Sequence, residues 1–231
     1  MARSNAAFTE AQGLPHPPTL ATSLALRAKL LSLGEDNATL EEQADQLVAV
    51  TTEQGLPHWG AQGTIYRGWT KVMNGDVAEG ISLLRSGSIA YRATGAEAGM
   101  PHFSALLARA YDIAGQSEEA VTLLDDALQI IERTEERWFA AELNRHKGQL
   151  LLRQGHSEAA EELYREALSI AEEQGARLWE LRAAVSLAQL RRDQGGRAEA
   201  RDLLAPLFSW FTEGFGAPDL KEAKALLDEL A

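Results

Sequence analysis

The sequence predicts an all-α protein, an α-solenoid of about five helix-turn-helix repeats with a period of about 40 residues, closed by a C-terminal capping helix. Three observations predict it. First, Gly75, Gly115, Gly155 and Gly195 stand 40 residues apart, each followed five residues later by a small residue: Gly80, Ala120, Ala160 and Ala200. Second, Gly55, Gly95 and Gly175 form an interleaved series of the same period, with Glu135 at the remaining position. Third, Gly13-Leu14-Pro15-His16 recurs as Gly55-Leu56-Pro57-His58 and Gly99-Met100-Pro101-His102. Fixed periods of this size mark stacked repeats.

Each repeat reads as helix A, a tight glycine turn, helix B and a longer joint. A left-handed glycine closes a helix, and proline is tolerated in the first turn of the next. Between the glycines the apolar spacing is three and four, as in Ala120, Leu123, Leu124, Ala127, Leu128 and Ile131. Ser117 with Glu118 and Glu119, and Ser157 with Glu158, read as caps and dipole-matched acids at helix starts. Asn37-Ala38-Thr39 reads as a helix cap rather than a glycosylation acceptor. The repeats fall at 17–55, 56–95, 96–135, 136–175 and 176–214, together 17–214. Residues 1–16 read as the end of a partial helix and a joint, which implies either a short, frayed first helix or, the favoured expectation, a piece of something longer. Residues 215–231 hold the capping helix, with Asp219 near its start and a stripe of Leu220, Ala223, Leu226, Leu227 and Leu230.

The 231 residues are rich in alanine, leucine and glutamate, which favours helix. Net charge is −12, which disfavours nucleic acid and anionic membranes as partners. No apolar run reaches signal-peptide or membrane-spanning length, so the expected location is cytoplasmic. With no cysteine there is no disulfide, thiolate site or cysteine nucleophile. No phosphate-binding glycine loop, His-Glu-x-x-His, calcium loop or Gly-x-Ser-x-Gly elbow occurs, so no enzyme activity, catalytic residue, cofactor or metal is expected. His16, His58 and His102 occupy successive joints, roughly 10 Å apart at helix-packing spacing. One ion, with bonds of about 2 Å, cannot reach two of them. Trp59, Phe139 and Trp179 recur near multiples of 40 and read as core packing, with an aromatic ligand box as the alternative.

These units resemble tetratricopeptide repeats. The matching small residues are Gly68, Ala108, Gly148 and Ala188 in helix A, then Gly80, Ala120, Ala160 and Ala200, and Gly87, Ala127 and Ala167 in helix B. The resemblance implies a right-handed superhelix with A helices lining a concave face. The period exceeds the usual 34 residues, so the helices are longer.

A finer resemblance rests on Leu181-Arg182-Ala183-Ala184, Ser186-Leu187-Ala188, Arg192-Asp193-Gln194-Gly195 and Trp210-Phe211-Thr212-Glu213-Gly214-Phe215. Pro218-Asp219-Leu220-Lys221-Glu222-Ala223, Gly68-Trp69 and the stretch Glu132 to Trp138 add to it. These look like the C-terminal repeat array of bacterial multidomain signalling proteins that join a class III adenylate/guanylate cyclase to a predicted signalling ATPase. No cyclase or ATPase residue lies here.

By the tetratricopeptide resemblance, partner-binding residues on the concave face are Gln62, Tyr66, Trp69, His102, Arg109, Glu142, Arg145, Gln149, Arg153, Arg182, Gln189 and Arg192. The last three A helices, counted over 101–114, 141–154 and 181–194, hold seven bases against three acids. The B helices over 116–134, 156–174 and 196–214 hold fourteen acids against four bases. An arginine-bearing inner face on an acidic protein fits a peptide or an acidic protein partner. The bland alternative pairs these arginines with acids of neighbouring repeats. Three functions follow. The first is an interaction module, binding a partner or its own cyclase and ATPase domains. The second is a small-molecule sensor using Tyr66 and Trp69. The third is a scaffold that self-associates into a homo-oligomer through its N-terminal end.

Overall fold

In the computed structural model the backbone is described for residues 2–231 and side chains from Ala6 onward. Among the described residues there are twelve α-helices, one 3-10 turn and no strand. The helices divide between two compact units. The N-terminal unit, to Gln116, holds α1 (Ala2–Gln12), α2 (Pro17–Leu33), α3 (Asn37–Gln54), α4 (Pro57–Met73), α5 (Val77–Ala93) and α6 (Met100–Ile113). The C-terminal unit holds α7 (Ser117–Thr134), a 3-10 turn (Arg137–Phe139), α8 (Ala140–Arg153), α9 (Ser157–Glu173), α10 (Arg177–Asp193), α11 (Arg197–Ser209) and α12 (Pro218–Glu229). Within each unit, consecutive helices pack as antiparallel hairpins, and alternate helices also touch: α2 with α4, α4 with α6, α8 with α10 and α10 with α12.

Small residues set how closely a hairpin closes. A Cβ on Gly68 would lie 2.7 Å from the Leu84 backbone nitrogen and 2.9 Å from the Gly80 carbonyl oxygen. No side chain fits between α4 and α5 there. Gly148 is different: its missing Cβ would meet the Tyr164 ring at 2.6 Å. The aromatic ring occupies a place where the same register elsewhere carries Leu84, Leu124 and Leu204. Gly148→Ala should therefore cost about 1–3 kcal/mol through overpacking. Tyr164→Leu should relieve most of that cost, giving a coupling of about 1 kcal/mol or more in a double-mutant cycle read by urea denaturation. Additive effects would separate the two sites.

Helix ends follow the glycine series, with two departures. Gly75, Gly115, Gly155 and Gly195 all have positive φ, as do Gly55, Gly95 and Gly175. Glu135 and Glu35 adopt the same left-handed conformation, at φ 59° and 57°. Glu35 stands 40 residues before Gly75 and begins that series. A side chain in this conformation costs about 1–2 kcal/mol, partly offset by the extra chain entropy that glycine loses on folding. Glu135 is exposed, so Glu135→Gly should stabilise by about 0.5–1 kcal/mol, raising Tm by a few degrees. An unchanged or lowered Tm would contradict the strain.

The helix starts correct three readings. The cap of α3 is Asp36, whose carboxylate accepts from the Thr39 amide at 3.2 Å, and Asn37 is already helical. Ser157 is the first residue of α9; His156 holds the cap position without a side-chain bond. Pro15 lies in the joint before α2, where Pro17 and Pro18 open the helix, whereas Pro57 and Pro101 do sit in first turns.

Candidate partner-binding face

The A-helix face is filled by side chains within each unit, so several expected groove residues lie inside. Tyr66 is 0% exposed, Trp69 2%, His102 1% and Glu142 1%. In the N-terminal unit the closure is made by α2 reaching α6. Ser32 donates its hydroxyl to the Lys29 carbonyl, and its oxygen and His102 Nε2 share a hydrogen bond of 3.2 Å. Glu35, just past α2, pairs with Arg109 at 3.3 Å, and the Arg109 guanidinium lies 4.6 Å over the Trp69 ring. Tyr66 sits between, its ring centroid 6.3 Å from His102 and 5.8 Å from Phe103. Burial first, and Tyr91 second, push the Tyr66 hydroxyl far above its usual pKa. Tyr66 and Trp69 are thus core residues in this state. The small-molecule reading loses the side chains that motivated it.

Gln62 remains half-buried. Its amide donates to His58 Nε2 at 3.0 Å, and burial lowers the His58 pKa.

In the C-terminal unit the face is a charge network. Glu142 on α8 accepts two bonds from Arg145, at 2.7 and 2.9 Å, and one from Arg182 on α10 at 3.1 Å. His146 Nε2 is 3.8 Å from the same carboxylate. Arg182 also clasps both oxygens of Asp219 on α12, at 2.5 and 3.0 Å. Burial alone would raise the Glu142 pKa. The charge and hydrogen bonds of Arg145, joined by His146 and Arg182, outweigh it and hold the carboxyl well below the usual carboxylate range. Arg182 is held protonated by Asp219 and Glu142 against the opposing effect of its burial. Further along α10, Gln189 donates to Glu222 at 3.0 Å and Arg192 to Glu229 at 2.8 Å. Gln149 is half-buried and Arg153 is exposed at the end of α8. They extend the Arg145 stripe at i+4 and i+8.

Pairing with an acid of the neighbouring repeat describes Arg182 with Glu142, whereas Arg109 meets Glu35 in the turn after α2, and Arg182 and Arg192 also meet Asp219 and Glu229 on the capping helix α12. Sequence reasoning missed the last three of these acids. Glu35 lies in a turn, and Asp219 was read only as a helix-start residue. The signal was present in α12, where Asp219, Glu222 and Glu229 flank the apolar stripe at Leu220, Ala223, Leu226 and Leu230. One register recurs every 40 residues on the A helices, and each repeat fills it differently: Gln62, His102, Glu142 and Arg182. Phe139 and Trp179 pack edge to face at 5.8 Å, with Phe139 buried.

Among the described residues, no group of three or more His, Cys, Asp or Glu side chains is placed to hold a metal ion. No described helix is long and apolar enough to cross a membrane.

Comparison with known proteins bears on the fold. Residues 102–173 match the tetratricopeptide repeat family. An uncharacterized protein of Rhizobium meliloti (strain 1021) is 27% identical over 185 residues, 80% of this chain. The match spans only 18% of that relative's length. Among solved structures, the Rap protein complexed with Competence and Sporulation Factor matches with a TM-score of 0.66 at 14% identity, over 94% of this chain and 65% of that one. BtubC (BKLC) from P. vanneervenii gives 0.62 at 15% identity, over 99% and 87%. A putative kinesin light chain of Podosopora anserina, described as having nearly identical TPR-like repeats, gives 0.58 at 22% identity, over 85% and 96%. With the helical hairpins described above, these likenesses make the chain an all-α solenoid of tetratricopeptide-like repeats, and its residues 102–173 match the tetratricopeptide family itself.

Proposed function

We propose that this chain is a non-catalytic interaction module that holds a protein or peptide of acidic character along its A-helix face. Repeat folds of this type are typically non-enzymatic, and function is argued from the site rather than the fold. The observation that carries the reading is the α8 stripe. Arg145, Gln149 and Arg153 stand at i, i+4 and i+8, and exposure rises along them to Arg153. A basic and amide edge on a chain of net charge −12 favours an acidic ligand.

The finer reading makes the module the C-terminal regulatory part of a longer cytoplasmic signalling protein, acting on its own cyclase and ATPase domains. The resemblance in residues 176–230 supports this, as does the greater length of the Rhizobium relative. A cyclase or ATPase domain encoded in the same reading frame would support it, and an unrelated neighbour domain would overturn it.

Reversing Arg145 or Arg182 would disturb the buried network, so the binding test belongs at the outer end of the stripe. Gln149→Ala with Arg153→Glu should leave the fold intact and weaken calorimetric binding of an acidic partner domain or peptide at least tenfold. Unchanged affinity would remove α8 from the interface.

Self-association has one specific observation in its favour. Leu14, Leu26 and Leu30 are 54%, 58% and 46% exposed, and Leu26 borders an open groove of about 400 Å³ beside α1. If these residues join copies, Leu26→Asp with Leu30→Asp should turn an oligomer into a monomer by light scattering. A wild-type monomer at high concentration would end this reading.

A further inference from the structure

The basic side of α10 is already occupied, and the occupant has a definite chemistry. Three polar side chains of α10 point to α12, and each finds an acid there. Arg182 takes Asp219, Gln189 takes Glu222 and Arg192 takes Glu229. From α11, Arg197 donates to the Glu229 carbonyl oxygen. The acids follow the helical repeat of α12, at i, i+3 and i+10. Between them runs the apolar stripe of Leu220, Ala223, Leu226 and Leu230, all at most 5% exposed. It packs against Leu181, Val185 and Leu204 among others.

The two halves of this contact contribute differently. The apolar stripe supplies the cohesion. The outer ion pair is well solvated: the side chains of Arg192 and Glu229 are 26% and 53% exposed. Pairs of that kind add little stability but set register and orientation. Only Arg182 with Asp219 is enclosed, at 11% and 15%. The opposite face of α12 is charged and exposed, with Lys221, Lys224 and Asp228. The link to α11 is irregular over 210–217 and contains Gly214 in the left-handed conformation.

We infer that the α10 face is a binding surface for an acidic amphipathic helix, and that α12 is its resident occupant, held there by its short tether. The recognised ligand is a helix with carboxylates spaced like Asp219, Glu222 and Glu229 and with leucine or alanine between them. A short tether gives α12 an effective concentration on the order of millimolar, so an external helix competes only when it is more complementary or when α12 is loosened. The inference rests on the interaction-module reading for its role in the cell. It concerns α10, whereas the earlier test concerns α8, so either can fail alone.

The test uses the full chain and a fluorescein-labelled peptide of residues 216–231. Wild-type protein should bind it weakly by fluorescence anisotropy. Asp219→Ala with Glu229→Ala should speed hydrogen exchange across α12 and tighten peptide binding at least tenfold. A peptide with lysine at the three acidic positions should bind neither protein. The inference is overturned if α12 exchanges faster in the variant while the peptide still does not bind, if the lysine peptide binds as well, or if wild type binds as tightly as the variant. Should the double variant lose its helical circular dichroism, Glu229→Ala alone, at a half-exposed carboxylate, should still give at least a threefold gain. No gain there overturns the inference.

Discussion

Arg182→Ala is expected to destabilise the C-terminal unit by about 3–5 kcal/mol, the cost of breaking a buried ion pair from one side. The side chain is 11% exposed and serves two carboxylates on two helices, Glu142 on α8 and Asp219 on α12. Its loss leaves Glu142 with Arg145 and the more distant His146, and leaves Asp219 without its clasp. Arg182→Lys should recover only part of the loss, because an ammonium cannot fork to Asp219 while also reaching Glu142. Hydrogen exchange over α8, α10 and α12 would localise the effect. A loss below about 1 kcal/mol would mean that the network is solvated.

The same network sets a pH dependence. The Glu142 carboxyl is harder to protonate folded than unfolded, because Arg145, His146 and Arg182 outweigh its burial. A depressed folded pKa contributes stability that is fully present above the unfolded value of about 4.3. That contribution is lost as pH falls below it. Wild-type stability should therefore decline more steeply between about pH 4.5 and 2 than that of Glu142→Gln, which has no carboxyl to titrate. Parallel curves would contradict the assigned cause.

Trp69→Ala is the second large effect, expected to cost about 3–5 kcal/mol in the N-terminal unit. Trp69 is 2% exposed and lies beneath the Arg109 guanidinium. A ring lining an open ligand groove would cost far less on truncation, within about 0.5–1 kcal/mol for a surface position. Urea denaturation thus distinguishes a core tryptophan from one lining a small-molecule groove. A small loss would restore the small-molecule reading.

The repeat was legible because helix ends must solve the same backbone problem each time. Glycine marks the left-handed positions at 40-residue spacing, and small residues mark where hairpins close. The series escaped notice at Glu35 because a charged residue there bears the conformational cost that glycine avoids elsewhere. The shared face was also legible, since positions on one side of a helix follow from its period alone. What covers that face was not. Ser32 reaches His102 across 70 residues, and Arg182 reaches Asp219 across 37. No local pattern encodes such meetings. The A helices taken alone hold seven bases against three acids, but the carboxylates that meet Arg109, Arg182 and Arg192 include Glu35 in a turn and Asp219 and Glu229 on α12.

The register that carries Gln62, His102, Glu142 and Arg182 has a consequence for how this array can grow. Glu142 and Arg182 bond to each other across adjacent repeats at that one position. Duplicating the repeat of α10 and α11 in tandem would set arginine against arginine there, and duplicating the repeat of α8 and α9 would set carboxylate against carboxylate. An array of interchangeable units can lengthen by copying any of them; here the order of α8 before α10 is written into the Glu142–Arg182 pair.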